Sequence, residues 1–105
     1  MKTVIASSGN NLNDKVDSRF ARCNYFCFYD SENQKSEFVK NSFADQQSGV
    51  GQKVVGFLAE KGINRVVATE FGPKAKDMME SLTIQMIVVN DRNLTIQEII
   101  NKIVN

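Results

Sequence analysis

The sequence contains no histidine and no tryptophan, one proline and only two cysteines among its 105 residues. The absence of histidine excludes Ser-His-Asp and Cys-His catalysis as well as metal binding by imidazole. Two cysteines are too few for a disulfide scaffold, and too few for a structural zinc site that lacks histidine.

Long apolar runs and an excess of one charge are also absent. No run approaches the roughly 20 residues of a membrane span, and we expect no signal peptide because the run after Met1 turns polar by Ser7. A net charge of +1 gives no bulk attraction to nucleic acid or to an anionic membrane. We therefore predict a cytoplasmic protein with neither of these as a partner.

The length of 105 residues suits one domain, and no repeat or linker divides it, so we predict a single domain over residues 1–105. Apolar patterning predicts eight elements in the order βββαβαβα. A short connection makes the second and third strands an antiparallel hairpin, and the later βαβ units imply parallel pairing. The predicted fold is therefore an α/β domain with a mixed five-stranded sheet, in which the antiparallel hairpin lies on one side and the parallel strands on the other. The predicted strands cover residues 3–6, 25–29, 36–40, 63–68 and 84–89, and the predicted helices cover 52–61, 73–82 and 96–103.

Three polar segments should meet at one end of this sheet, where open α/β sheets bind ligands. The first follows the first strand and carries Arg19 and Arg22, whose guanidinium groups suit an anion. The alternative is a solvated loop in which Phe20 fills the core.

The other two segments begin helices. Gly49 and Gly51 precede one helix and Gly72 and Pro73 the next, so backbone N–H groups could bind an anion there. The first lacks the Gly-Lys-Ser/Thr of a phosphate-binding loop and the full Gly-x-Gly-x-x-Gly pattern. Ordinary turn glycines and a plain helix start are the alternatives.

Of the two cysteines, Cys27 lies inside a predicted strand and we expect it to be buried. Cys23 lies where the loop joins that strand, which makes it the better candidate for a soft metal ligand.

The segment 18–26, Ser-Arg-Phe-Ala-Arg-Cys-Asn-Tyr-Phe, resembles the Ser-x-Arg-Phe-Gly-Arg-x-x-Tyr-Phe signature of the dinitrogenase iron–molybdenum cofactor biosynthesis proteins. This family includes the NifX and NifY types and the C-terminal domain of the NifB type. The glycines at 49–51 and the Gly-Pro-Lys-Ala at 72–75 match its other two segments in order. The sequence departs from the family at Ala21, where glycine is usual, in the absence of histidine from 41–48, and in the added carboxylate of Glu70.

This resemblance implies a ribonuclease-H-like three-layer α/β domain with strand order 3-2-1-4-5. It also implies a non-catalytic protein that carries or inserts an anionic metal–sulfur cluster of the iron–molybdenum or iron–sulfur type. The partners implied are proteins that assemble or accept the cluster, and monomer and homodimer both remain open. The candidate cluster-binding residues are Ser18, Arg19, Arg22, Cys23, Gly49, Gly51, Gly72 and Pro73, with Cys23 also the candidate metal ligand.

Two other function classes compete with a cluster carrier. A protein-interaction or scaffold module would use the aromatic hairpin around Tyr25, Phe28 and Tyr29, if these rings point outward. A ribonuclease-H-type nuclease needs several carboxylates around two metal ions, but the predicted strands 3–6 and 63–68 carry none. The nearby carboxylates belong to loops, at Asp14, Asp17 and Glu70, so a nuclease is the least favoured of the three.

Overall fold

The computed structural model describes residues 1–103, and their elements follow the predicted order βββαβαβα. The strands are β1 (Lys2–Ser7), β2 (Tyr25–Asp30), β3 (Lys35–Lys40), β4 (Arg65–Ala68) and β5 (Gln85–Val88). The helices are α1 (Val50–Glu60), α2 (Pro73–Ser81) and α3 (Ile96–Ile103). Among these residues, no helix is both long enough and apolar enough to span a membrane.

The five strands form one mixed sheet in the order β3-β2-β1-β4-β5, which confirms the predicted topology. β2 pairs antiparallel with β1 and with β3, so the hairpin occupies one side of the sheet. β4 pairs parallel with β1 and with β5 on the other side. The carboxyl ends of β1 and β4 therefore lie at the same edge of the sheet, and the loops that leave them start close together.

Each face of the sheet is covered by helices, because the buried strands are apolar on both sides. In β1, Val4 and Ala6 pack in a core under α1 and α2, whereas Ile5 packs in a second core under α3. The result is the three-layer, ribonuclease-H-like arrangement that the family resemblance implies.

Several predicted boundaries differ from the structure by one or two residues. α1 begins at Val50 rather than at residue 52, because Gly49 takes a left-handed φ of 69° and turns the chain directly into the helix. β4 and β5 begin later than predicted, because the N–H groups of Ile63 and Ile84 still close the preceding helices by bonding to their carbonyls. The predicted stop at Gly62 is confirmed by its φ of 74°.

The start of α3 is fully capped. Thr95 and Glu98 form the predicted capping box, with N–H to side-chain oxygen distances of 3.0 and 3.1 Å. The next N–H groups, at residues 96 and 97, donate to the carbonyls of Asp14 and Leu12 at 2.9 Å. The loop after β1 therefore uses up the donors of α3, and this helix start offers none to a ligand.

Candidate functional site

The carboxylate of Asp17 organises the loop that follows β1, and this residue is only 5% exposed. It accepts hydrogen bonds from the backbone N–H of Arg19 at 2.9 Å and of Asn24 at 3.3 Å. The guanidinium of Arg19 donates to it from Nε at 3.2 Å and from Nη2 at 3.3 Å. The hydrogen bond with Asp17 raises the pKa of Arg19. One edge of the Arg19 guanidinium is thus fixed, while the Arg19 side chain remains 55% exposed.

Arg22 fastens the same loop to the segment that precedes α1. Its Nη1 donates to the carbonyl oxygens of Ala44 at 2.9 Å and Gln46 at 2.8 Å, and its Nη2 donates to that of Gln47 at 3.4 Å. A guanidinium has five N–H donors, so two remain for a ligand after these three contacts.

A buried amide joins the two loops a second time. Asn41 is 4% exposed, and its Nδ2 donates to the carbonyls of Ala21 at 2.8 Å and Cys23 at 2.9 Å. Its Oδ1 accepts from the N–H of Phe43 at 2.9 Å. We call the segment 8–24 between β1 and β2 the arginine-bearing loop. Arg22 and Asn41 together hold the segment before α1 against this loop.

The starts of α1 and α2, unlike that of α3, carry no side-chain cap and no acidic residue in the first turn. The N–H groups at 50–52 in α1 and at 74–75 in α2 have no acceptor within the described chain. Pro73 occupies the first position of α2, where its missing N–H costs nothing. Two helix starts thus present free donors and the positive ends of their dipoles.

These two helix starts touch each other. A Cβ built on Gly51 would lie 3.3 Å from the Cβ of Ala75, so only glycine allows this approach without displacement. At Gly72, by contrast, nothing lies within 4 Å of an added Cβ, and φ is an ordinary −67°. The space beside Gly72 is therefore open.

A cleft of about 480 Å³ lies between the arginine-bearing loop and the two helix starts. Six of the eight predicted site residues line it, and Lys74 adds a third cationic side chain to those of the two arginines. Glu70 contributes the single carboxylate of the lining. The predicted residues that the structure brings together here are Arg19, Arg22, Gly49, Gly51, Gly72 and Pro73.

The other two predicted residues, Ser18 and Cys23, do not line the cleft. The carbonyl of Ser18 accepts a hydrogen bond from Oγ1 of Thr69 at 3.0 Å, which ties the loop to the segment after β4. Cys23 has no exposed surface and packs in the core under α1 and α2. Burial, reinforced by the charge of Asp17, raises the pKa of the Cys23 thiol to about 12, so the sulfur stays protonated at neutral pH.

Metal ligation by clustered side chains finds no support in the part of the chain that the structure describes. No group of three or more His, Cys, Asp or Glu side chains could hold a metal ion there. Cys27 is buried as predicted, and burial raises the pKa of its thiol to about 12.

Of the three carboxylates considered for nuclease chemistry, Asp17 is bonded within its loop, Asp14 accepts from the N–H of Asn11 at 3.0 Å, and only Glu70 faces the cleft.

The aromatic side chains of the hairpin formed by β2 and β3 point mostly into the protein. Tyr29 is 5% exposed, Tyr25 is half-buried, and the ring of Phe28 packs edge-on against Phe57 of α1 at 6.3 Å. A groove of about 600 Å³ remains between the hairpin and the end of α1, and it is lined by both lysines and carboxylates.

Phe20, whose burial was the alternative to a ligand-binding loop, is 4% exposed and packs against Phe71 at 5.3 Å.

The sequence did not reveal Asp17 as an acceptor for backbone N–H groups, nor the roles of Asn41 and Lys74. For Asp17 a local signal exists, because an aspartate side chain often accepts a hydrogen bond from the backbone N–H two residues later, here that of Arg19, in an Asx turn. For Asn41 no local signal exists, since its partners Ala21 and Cys23 are 20 and 18 residues away.

Comparison with known proteins gives a consistent result. A sequence model of the family described as dinitrogenase iron-molybdenum cofactor matches residues 1–105. An uncharacterized protein of Methanocaldococcus jannaschii is 26% identical over 85 residues, which make up 78% of this chain and 72% of that protein.

Two solved structures share the fold. The apo form of the orange protein from Desulfovibrio gigas has a TM-score of 0.89 at 23% identity, covering 97% of this chain and 85% of that chain. A candidate NifB protein from Thermotoga has a TM-score of 0.81 at 32% identity, again covering 97% of this chain and 85% of that chain.

Proposed function

Because the chain belongs to the dinitrogenase iron-molybdenum cofactor family, we propose that it is a non-catalytic carrier for an anionic metal–sulfur cluster. The cluster, of the iron–molybdenum or iron–sulfur type, is the cargo. The proposed binding place is the cleft between the arginine-bearing loop and the starts of α1 and α2. One observation carries the proposal: two uncapped helix starts and three cationic side chains converge on this single cleft.

The groups around the cleft suit such a cargo. Metal–sulfur clusters are multiply anionic, and N–H donors and positive charge can hold their sulfur atoms as well as covalent ligands do. Arg19 and Arg22 each keep N–H donors beyond those used within the protein. The free backbone N–H groups of α1 and α2 add donors that carry no counter-charge.

The proposal assigns no thiolate to the cluster. Cys23 lies in the core and its thiol has a pKa of about 12, so it offers neither an accessible nor an ionised sulfur. Ser18 would act through its backbone, by holding the loop against Thr69. Non-covalent binding of this kind is reversible, which a carrier requires.

The partners of such a carrier would be the proteins that assemble the cluster and those that accept it. We place the protein in the cytoplasm, and its two free cysteines accord with a reducing compartment.

Binding of a defined metal–sulfur anion tests the proposal. We expect the protein to bind tetrathiomolybdate saturably at one site in equilibrium dialysis at about 0.1 M salt, with bound molybdenum measured by mass spectrometry. Arg19→Gln should weaken binding about tenfold, the value of one charge-assisted hydrogen bond. Gly72→Ala should also weaken it, because Gly72 lines the cleft and an added methyl group there would occupy open space that no protein atom fills.

Two control variants separate the cleft from general effects. Arg92→Gln removes the same charge from an exposed position that does not line the cleft, and should bind as the unaltered protein does. Cys23→Ser should likewise retain binding. Equal affinities in Arg19→Gln and Arg92→Gln, or the absence of saturable binding, would contradict the proposal.

A further inference from the structure

Glu70 is an anomaly in a cleft that otherwise suits anions. It lies between β4 and α2, is exposed, and is the single acidic residue in the lining. The only ion pair within 4.0 Å among residues 1–103 joins Arg19 to Asp17, so the carboxylate of Glu70 is neutralised by no cation there. It also makes no side-chain hydrogen bond within this part of the chain. A structural role for this carboxylate therefore has no contact to support it.

An unpaired carboxylate in this place repels any anion that enters. A cleft of about 480 Å³ is about 8 Å across if it is taken as a cube. At about 6–8 Å, and with an effective dielectric constant of about 40–80, the repulsion weakens binding about 2- to 10-fold for each unit of ligand charge. The penalty thus grows with the charge of the ligand, whereas a steric penalty would depend on its size.

We propose that Glu70 is a specificity-determining residue that tunes the cleft toward metal–sulfur anions of low charge and keeps their binding reversible. This inference rests on the proposed carrier function and deepens it. Arg19, Arg22 and Lys74 attract every anion, and Glu70 subtracts most from the affinity of those with the highest charge. If the Glu70 carboxylate instead ligated a metal of the cargo, removing it would weaken binding. The two roles therefore predict opposite changes in the dissociation constant of Glu70→Gln.

The test uses two probes of the same shape that differ by one charge, hexacyanoferrate(III) and hexacyanoferrate(II), together with tetrathiomolybdate. Their dissociation constants are measured by calorimetry for the unaltered chain, Glu70→Gln and Glu80→Gln. Glu80 is an exposed glutamate of α2 outside the cleft lining, so it matches the change in net charge. Because neither glutamate side chain has a hydrogen-bonding or ionic partner within residues 1–103, both variants should fold normally.

We expect Glu70→Gln to tighten the binding of all three probes, and to tighten that of hexacyanoferrate(II) at least about twofold more than that of hexacyanoferrate(III). Glu80→Gln should change no dissociation constant by more than about twofold. Equal tightening of both hexacyanoferrates, no change, or looser binding in Glu70→Gln would overturn the role of Glu70 while leaving the carrier function in place. A failure of both the unaltered chain and Glu70→Gln to bind any probe would overturn the carrier function, and this inference with it.

Discussion

Replacing Asp17 with asparagine should loosen the loop that carries Arg19, although Asp17 does not itself line the cleft. The carboxylate accepts from two backbone N–H groups, those of Arg19 and Asn24, and from the Arg19 guanidinium. An asparagine replaces one acceptor oxygen with an NH₂ donor. At least one of these two partly buried backbone N–H groups then loses its acceptor.

The expected cost follows from these contacts. A partly buried donor left without an acceptor costs about 1–2 kcal/mol, toward the lower end of the range for buried groups, and the remaining carboxyl contacts of the loop are weakened with it. The ion pair with Arg19 adds at most about 1 kcal/mol, because that guanidinium is 55% exposed and its charge is screened by water. We therefore expect Asp17→Asn to lower the free energy of unfolding by about 2–3 kcal/mol, and the melting temperature by about 10–20 °C.

Urea unfolding followed by far-ultraviolet circular dichroism measures this cost, since the chain has no tryptophan for fluorescence. Arg19→Gln is the matched control, because it removes the ion pair but keeps the carboxylate and both backbone hydrogen bonds. It should cost less than about 1 kcal/mol. The double variant should cost less than the sum of the two single variants, by the value of the ion pair. If Asp17→Asn costs no more than Arg19→Gln, the loop is not organised by these backbone hydrogen bonds.

Three further changes test other parts of the structure. Thr83 takes a left-handed φ of 59° after α2, a conformation that strains a β-branched residue. Thr83→Gly should therefore raise the free energy of unfolding by about 0.5–1 kcal/mol in the same urea assay, and a loss of stability would show that Thr83 is not strained. Gly51→Val should lower it by about 1–3 kcal/mol, because the side chain must displace Ala75, and unchanged stability would show that the two helices can separate freely. Burial raises the pKa of the Cys23 and Cys27 thiols to about 12, above about 8.5 in an unfolded chain, so the unfolded state loses these protons first. The free energy of unfolding should therefore fall as pH rises from about 8.5 to 12, and it should fall less steeply when both cysteines are replaced with alanine. The same dependence on pH in both proteins would contradict the raised pKa values of the two thiols.

Elements with a local signature could be predicted from the sequence. Residue spacing alone identifies the capping box of Thr95 and Glu98 and the glycine stop at Gly62, and both are confirmed. Burial of β1 on both of its faces follows from a short, mainly apolar run without alternation, and a short connection fixes the hairpin. The elements also predict the hairpin on one side of the sheet and the parallel strands on the other, whereas the full strand order 3-2-1-4-5 came from the family resemblance.

Contacts between distant segments could not be predicted in this way. The carbonyls that bind Arg22 lie 22 to 25 residues further along the chain, and nothing in residue spacing points to them. The burial of Cys23 is similar, since the sequence places it beside a polar loop, while the side chain of Asn41 and the core under α1 and α2 enclose it. Thr83 carries no signal either, because a left-handed turn after a helix is usually made by glycine or asparagine.

The contact between Gly51 and Ala75 also bears on how fast the cleft should fill. Because the first turns of α1 and α2 pack on each other, their free N–H groups keep a fixed separation before any ligand arrives. Rapid mixing with an anion should then give a single exponential phase whose rate rises linearly with ligand concentration, with no plateau from a preceding closure. Added salt should slow this phase by screening the arginines and Lys74. If the anion is the proposed cluster, its release would then require no opening of the two helices, and the ligands of an acceptor protein could replace the cleft's N–H donors by direct attack on the bound cluster.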